Sequence, residues 1–319
     1  MDHDAWRPGR YESLGPLGRT ILPAYVGLAL PLVVALACYF DDSNSGDLQI
    51  HVVGGYLAPV KVWDEQFAPA WNKVLRNAPY PISEFKASAC LSGDKEFRAW
   101  TMEQREQLIS DLVSVILDTR IWVGISAAFM WPGTPDATSP KIRKWRRRLE
   151  KDAYKICVGY CLSDSLSICR VLHETNTVPD IDEILPVIDH KKKFSQIVSR
   201  NFDLILRDFT PEIAAKIARP IERDSKLLVP LQAADLLAHE TLLEVVNRCE
   251  GNPPSKTLER LLGGRTRYAS KCFYLPPADL YHFMLDYGQR PKSKVGTIFS
   301  AGMPGGPELR TKGQWRIDD

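Results

Sequence analysis

The sequence contains no C-x-x-C pair and no Cys/His spacing of the kind that holds zinc, although seven cysteines are scattered from Cys38 to Cys272. An odd, dispersed set of this kind excludes a disulfide scaffold and points to free, buried thiols in a reducing compartment, the cytoplasm. Cys157 and Cys161, one helical turn apart, read as lining one helix face, with a redox pair as the alternative. No G-x-G-x-x-G follows a strand-like run and no G-x-x-x-x-G-K-[ST] occurs, so nucleotide-cofactor chemistry lacks its usual support; the Gly54-Gly55 pair alone does not supply it. No G-x-S-x-G elbow is present, which removes an α/β-hydrolase. Charge of one sign is also missing: 41 Lys and Arg against 39 Asp and Glu leave +2. The whole-molecule field therefore does not attract nucleic acid, and any such case rests on local clusters. There is no internal repeat and no low-complexity tract.

What is present is enough apolar material for a large core. At 319 residues, 45% hydrophobic and 25% charged, the chain has the composition of a folded soluble protein, in one large domain or two smaller ones.

The stretch Ile21 to Phe40 has no charged residue and ends in two adjacent carboxylates, Asp41 and Asp42. It is long enough for a membrane helix, and Arg7, Arg10 and Arg19 precede it as the positive-inside rule prefers. Pro23, Gly27 and Pro31 interrupt it. From there "VVALACYF" reads as a strand buried on both faces, followed by the polar turn cluster "DDSNSG" and a second strand-like run, "LQIHVVGGYL". This hairpin reading places Asp41 at the carboxyl end of a central strand, and it stands ahead of the membrane span.

Farther on, "VWDEQFAPAWNKVLRN" reads as a helix on the edge of the fold and "ISEFKASAC" as a short strand or extended segment. "TMEQREQLISDLVSVILDT" is the clearest helix: Thr101 and Gln104 form a capping box, and Leu108, Leu112, Val115 and Ile116 form its apolar stripe. "IWVGISAAFMW" reads as a strand. Residues 141 to 155 carry Lys141, Arg143, Lys144, Arg146, Arg147, Arg148, Lys151 and Lys155, either a solvated helical face or a phosphate-binding surface, and the helix continues through "AYKICVGYCLSDSLSICRVL". "DEILPVID" reads as a strand ending at Asp189, with Pro186 restricting it to an edge, a start or a bulge. A basic turn, Lys191 to Lys193, follows. "TPEIAAKIA" is a short helix, and "LLVPLQAADLLAHETLLEVVNRC" is a long one whose Gln232, Asp235 and His239 share a polar face. Beyond about Gly288 the composition is that of a loop or surface extension.

The alternation of strands and helices gives an α/β protein with helices covering a mixed sheet. Five segments sharpen this: "YFDDSNSG", "HVVGGYL", "EFKAS", "LPVID" and "PLQAADLLAHE". Together they resemble the domain of unknown function 3800 family, which is assigned an RNase H-like fold, over about Val33 to Val246. Asp42 departs from it, standing where Glu is commoner. The resemblance implies an RNase H-like domain at 31–250, with an N-terminal extension at 1–30 and a C-terminal extension at 251–319.

In that fold, carboxylates from the first strand, a later strand and the final helix meet at the carboxyl edge of the sheet. The resemblance thus implies a catalytic set of Asp41, Asp189 and Asp235, with Asp42 as a weaker fourth metal ligand because neighbouring strand residues face opposite ways. Crowded carboxylates need a cation, and hard oxygen ligands select Mg²⁺ or Mn²⁺. The implied activity is metal-dependent hydrolysis of nucleic acid. Ser43 and Gln232 are expected near substrate or behind the ligands, Lys86 on substrate, and Arg143, Lys144, Arg147, Lys191 and Lys192 on phosphates. A protein partner or a second copy of the chain is compatible with these features; a membrane partner is not expected. The competing readings are a non-catalytic binding module on the same fold and a protein anchored through 21–40.

Overall fold

The structure, a computed structural model, describes residues 34–45, 49–119, 121, 123–130, 153–169, 181–189, 202–203, 206–207, 210–262, 267–274 and 296–301. It is an α/β arrangement built on one mixed sheet. The strands are β1 (Val34–Ser45), β2 (Ile50–Pro59), β3 (Val123–Met130), β4 (Ile181–Asp189), β5 (Ile221–Arg223), β6 (Arg267–Tyr274) and β7 (Gly296–Ala301), in the spatial order β5-β4-β1-β2-β3-β6-β7. β1, β2 and β3 form an antiparallel meander, and the chain then crosses to lay β4 parallel to β1 on its other side, with β5 parallel to β4. β6 runs parallel to β3 and β7 antiparallel to β6, so part of the segment expected as a C-terminal extension joins the same sheet.

β1 lies at the centre and is covered on both faces, which is why its sequence is continuously apolar and does not alternate. Ala35, Ala37 and Tyr39 face one core, shared with Trp63, Trp71 and Leu236; Leu36, Cys38 and Phe40 face the other, shared with the helix over residues 153–169. Val34 to Phe40 of the uncharged run is therefore strand. Among the described residues no helix is long and apolar enough to cross a membrane. β1 also runs farther than the polar composition of "DDSNSG" suggested, because Asp41 to Ser45 stay paired with Gly54 to Ile50.

On the first face lie α1 (Ala68–Asn77), α2 (Ala87–Ser92), α3 (Met102–Asp118) and two helices from later in the chain. The α1 region is central, not at the edge: Trp63, Phe67 and Trp71 are fully buried. A short π-helical stretch, Trp63–Phe67, precedes it. These rings continue into Phe85, Phe97 and Trp100 with centroid spacings of 5.0 to 6.5 Å, mostly edge to face. Such contacts add about 0.5–1.5 kcal/mol each beyond area burial. α3 has the expected capping box, with both reciprocal Thr101 and Gln104 bonds formed. α2 was not foreseen; it is six residues long and closes at Gly93, whose φ of 72° suits glycine.

On the opposite face lies α4, residues 153–169. Its Cys157 and Cys161 thiols donate to the carbonyls of His51 and Val53, so they line one buried helix face, and neither is in a disulfide. Pro186 does sit inside β4, between β1 and β5. The neighbouring chain bonds Ile184 through Lys216 and Ala218, and pairing with β5 resumes only at Val187. The proline thus occupies the gap where no N–H is required.

α5 (Val229–Glu250) lies across β1 and β2, with Pro230 in its first turn and Gly251 in the left-handed conformation at its end. α6 (Lys256–Leu262) packs on α3 and α5. Ser255 caps it: its Oγ accepts from Leu258 N–H, while donating to the buried carboxyl of Glu240.

Candidate active site

Strand pairing and helix height together define the site. Asp41 follows Tyr39 on the α5 face of β1, and Asp42 follows Phe40 on the α4 face. The two adjacent acids therefore enter different surroundings. Asp42 lies 3.7 Å from His51 Nε2, and His51 stacks edge to face on Tyr154 of α4, a buried polar group behind the sheet. Burial, and then the charges of Asp42, Asp41, Glu222 and Asp189, push the Tyr154 hydroxyl far above its ordinary pKa. It is a neutral donor at any working pH.

On the α5 face, the Asp41 carboxylate is 97% removed from solvent. Its Oδ1 accepts from Asp42 N–H at 2.7 Å and its Oδ2 lies 3.7 Å from Lys86 Nζ. Lys86 comes from the extended Glu84–Lys86 segment ahead of α2. Burial lowers its pKa, but Asp235, Asp41, Asp189 and Glu84 together outweigh that effect and hold the ammonium above its ordinary value. Four carboxylates from four parts of the chain thus favour the charged lysine, with Asp41 in contact and Asp235 bonded to the N–H of the next residue.

Each carboxylate is held by a donor. Asp235 of α5 accepts from Ala87 N–H at 2.7 Å. Asp189, the last residue of β4, accepts from Ser225 N–H at 3.1 Å, and Glu84 accepts from Ser225 Oγ at 3.0 Å. The Ser225 carbonyl in turn accepts from Gln232 Nε2 at 3.1 Å. Ser225 therefore ties β4, the Glu84 segment and α5 together.

Gln232 is 1% exposed, and its Oε1 accepts from both Trp71 Nε1 and Phe85 N–H at 3.0 Å. Of the two roles expected for it, the structure leaves positioning, since all its polar atoms are engaged inside the protein. His239, one turn beyond Asp235, is lowered in pKa by burial against the upward pull of Asp235.

Gly54 explains how α5 comes so near. It is the cross-strand partner of Asp41, and a Cβ on it would stand 2.8 Å from the Ala238 nitrogen. Any side chain there would hold the helix, and Asp235 with it, off the sheet.

Of the residues expected from sequence, Asp41, Asp189, Asp235 and Lys86 come together, with Ser43 two residues beyond Asp41 on the same side of β1 and Gln232 behind them. Asp42 turns to the other face. Arg143, Lys144, Arg147, Lys191 and Lys192 lie outside the described residues. Glu84 and Ser225 were missed. The first carried a readable signal, since Glu-x-Lys in an extended segment puts acid and lysine on one side; the second carried none.

The donor set, oxygen atoms throughout, suits a hard divalent cation. Among the described residues, however, no three Asp, Glu, His or Cys side chains are gathered closely enough to hold a metal as they stand. The Lys86 ammonium lies beside Asp41 instead. Comparison with models of known families gives no match, and neither does comparison with curated proteins.

Proposed function

We propose that this chain is a phosphodiester hydrolase acting on nucleic acid, built on an RNase H-like core of the domain of unknown function 3800 type and using Mg²⁺ or Mn²⁺. One observation carries the reading: Lys86 Nζ lies 3.7 Å from Asp41 of the first strand, the next residue's N–H is held by Asp235 of the long late helix, and Asp189 at the end of the fourth strand shares Ser225 with Glu84 of the Lys86 segment. The resemblance had singled out those three acids, and Gly54 lets the helix approach closely enough to bring the last one in. The antiparallel meander followed by a parallel strand on the far side of β1 is the frame that supports this arrangement.

Asp41, Asp189 and Asp235, with Glu84, would hold the cation, which supplies charge stabilisation for a phosphoryl oxygen and a more acidic water. The remaining work falls to the protein. Ser225 and the Ala87 N–H orient the carboxylates of Asp189, Glu84 and Asp235. Gln232 keeps the Glu84 segment at its distance from α5. The ammonium of Lys86 is placed to meet a phosphate oxygen.

The test is cleavage of labelled single-stranded and double-stranded DNA and RNA with Mg²⁺ or Mn²⁺, comparing the wild type with Asp41→Ala and Asp235→Ala. Hydrolysis abolished by EDTA and by either substitution is the expected result. A folded wild type that binds these nucleic acids and cleaves none of them, with either metal, would replace the reading with a non-catalytic binding module.

A further inference from the structure

The donor chemistry asks for a cation, and the chain already provides one. Lys86 arrives on an extended segment anchored on both sides: Phe85 N–H is held by Gln232 and Ala87 N–H by Asp235. Its backbone is therefore fixed beside the acids, while among the described residues the ammonium at the end of the four-carbon stem is held by the Asp41 contact at 3.7 Å. The Lys86 side chain keeps 24% of its surface open, against 2% for that of Asp41. A charged, flexible and partly exposed side chain whose root is fixed can leave the cluster without disturbing the fold.

We infer that Lys86 is a built-in counter-ion, holding the carboxylates together when no metal is bound and giving up its place when a divalent cation enters. This rests on the reading of the site as a metal-dependent hydrolase. The physical argument is one of mutual exclusion. Several carboxylates near one point repel unless a cation stands among them. An ammonium there satisfies them, but it also lowers the electrostatic gain left for an incoming ion. The metal must displace it, so the apparent affinity falls by the fraction of chains in which the lysine occupies the site. Once displaced, the ammonium is free to meet the substrate phosphate, and cation and substrate favour the same outward position of one side chain.

The experiment compares the full chain with Lys86→Met, which keeps an apolar stem of similar reach, and with Lys86→Arg, which keeps the charge. Mn²⁺ binding is followed by calorimetric titration, and thermal melting is followed in EDTA and in Mn²⁺. Lys86→Met should bind Mn²⁺ at least about tenfold more tightly than the wild type, melt lower in EDTA, and gain more from Mn²⁺. Lys86→Arg should follow the wild type in all three. A Lys86→Met chain that folds only when Mn²⁺ is present gives the same answer. Asp41→Asn, added as a control, should weaken Mn²⁺ binding if the ion enters this cluster.

Equal or weaker Mn²⁺ binding by Lys86→Met, with Asp41→Asn still lowering affinity, would overturn the counter-ion and leave the metal site standing. No Mn²⁺ binding by folded wild type and folded Lys86→Met alike would overturn both.

Discussion

Gly54 and Ala238 meet backbone to backbone. A Cβ on the glycine would stand 2.8 Å from the Ala238 nitrogen and 2.9 Å from its Cα, with no flexible side chain there to give way. Because Gly54 pairs with Asp41 and Ala238 lies three residues past Asp235, this contact sets the height of one acid above the other.

Gly54→Ala should therefore do more harm to the site than to the fold. Overpacking costs about 1–3 kcal/mol, read as a lower midpoint in urea. Cleavage should fall by about a hundredfold, as expected when a reacting group is displaced by about an ångström. A variant that is destabilised yet retains wild-type cleavage would show that the height of α5 does not matter.

Asp41 and Asp42 are neighbours in sequence and strangers in space. Asp41→Asn should lower cleavage by about 10²–10³ or more, the scale of losing one group aimed at developing charge. Asp42→Asn, on the α4 face beside His51, should change cleavage by less than tenfold. Equal losses in the two variants, both folded by circular dichroism, would contradict the assignment of faces.

Gln232→Leu leaves the Trp71 indole N–H, the Phe85 N–H and the Ser225 carbonyl without their partner in a buried setting. Orphaned buried groups cost about 1–3 kcal/mol each, so a loss on the order of 3 kcal/mol is expected in chemical denaturation. Gln232→Glu, which preserves the acceptor, should lose less. A change under 1 kcal/mol for the leucine variant would mean that water replaces the amide.

Burial raises the pKa of Glu240 above its ordinary 4.5, opposed by the hydrogen bond from Ser255. The folded state then holds this proton more tightly than the unfolded chain does. Its contribution to stability is complete below the unfolded value and is lost as the pH rises through the folded one. Glu240→Gln should consequently melt higher than the wild type at neutral pH, with the difference shrinking as the pH falls below about 4. A difference that does not depend on pH would place the effect in packing.

Much of the fold was legible because its signals are local. The apolar run before Asp41 needs both faces of a strand, Thr101 and Gln104 need only each other, and Pro230 opens α5 wherever the helix goes. The end of β1 was not legible, because "DDSNSG" has the composition of a turn and only pairing with Ile50 to Gly54 keeps it in the sheet. The edge position expected for the Val62 to Asn77 segment failed for a similar reason: the depth of Trp71 depends on Phe85 and Gln232, and that of Trp63 on Ala37 and Tyr39. Within the site, the aspartates could be singled out through motifs. Ser225 could not, since its three bonds reach Asp189, Glu84 and Gln232, two of them far away in the chain.

The same long reach sets the order in which the protein can become whole during synthesis. Asp41 and Gly54 leave the ribosome early, Lys86 soon after, Asp189 much later, and Asp235 and Ala238 later still. Domains form as units while the chain emerges, and non-local contacts form late because the intervening loops must first close. Until α5 settles on Gly54, the early acids have no helix above them and the cluster is incomplete. A nascent chain, still tethered to the ribosome, would carry the early acids and Lys86 of the site before the helix that completes the cluster.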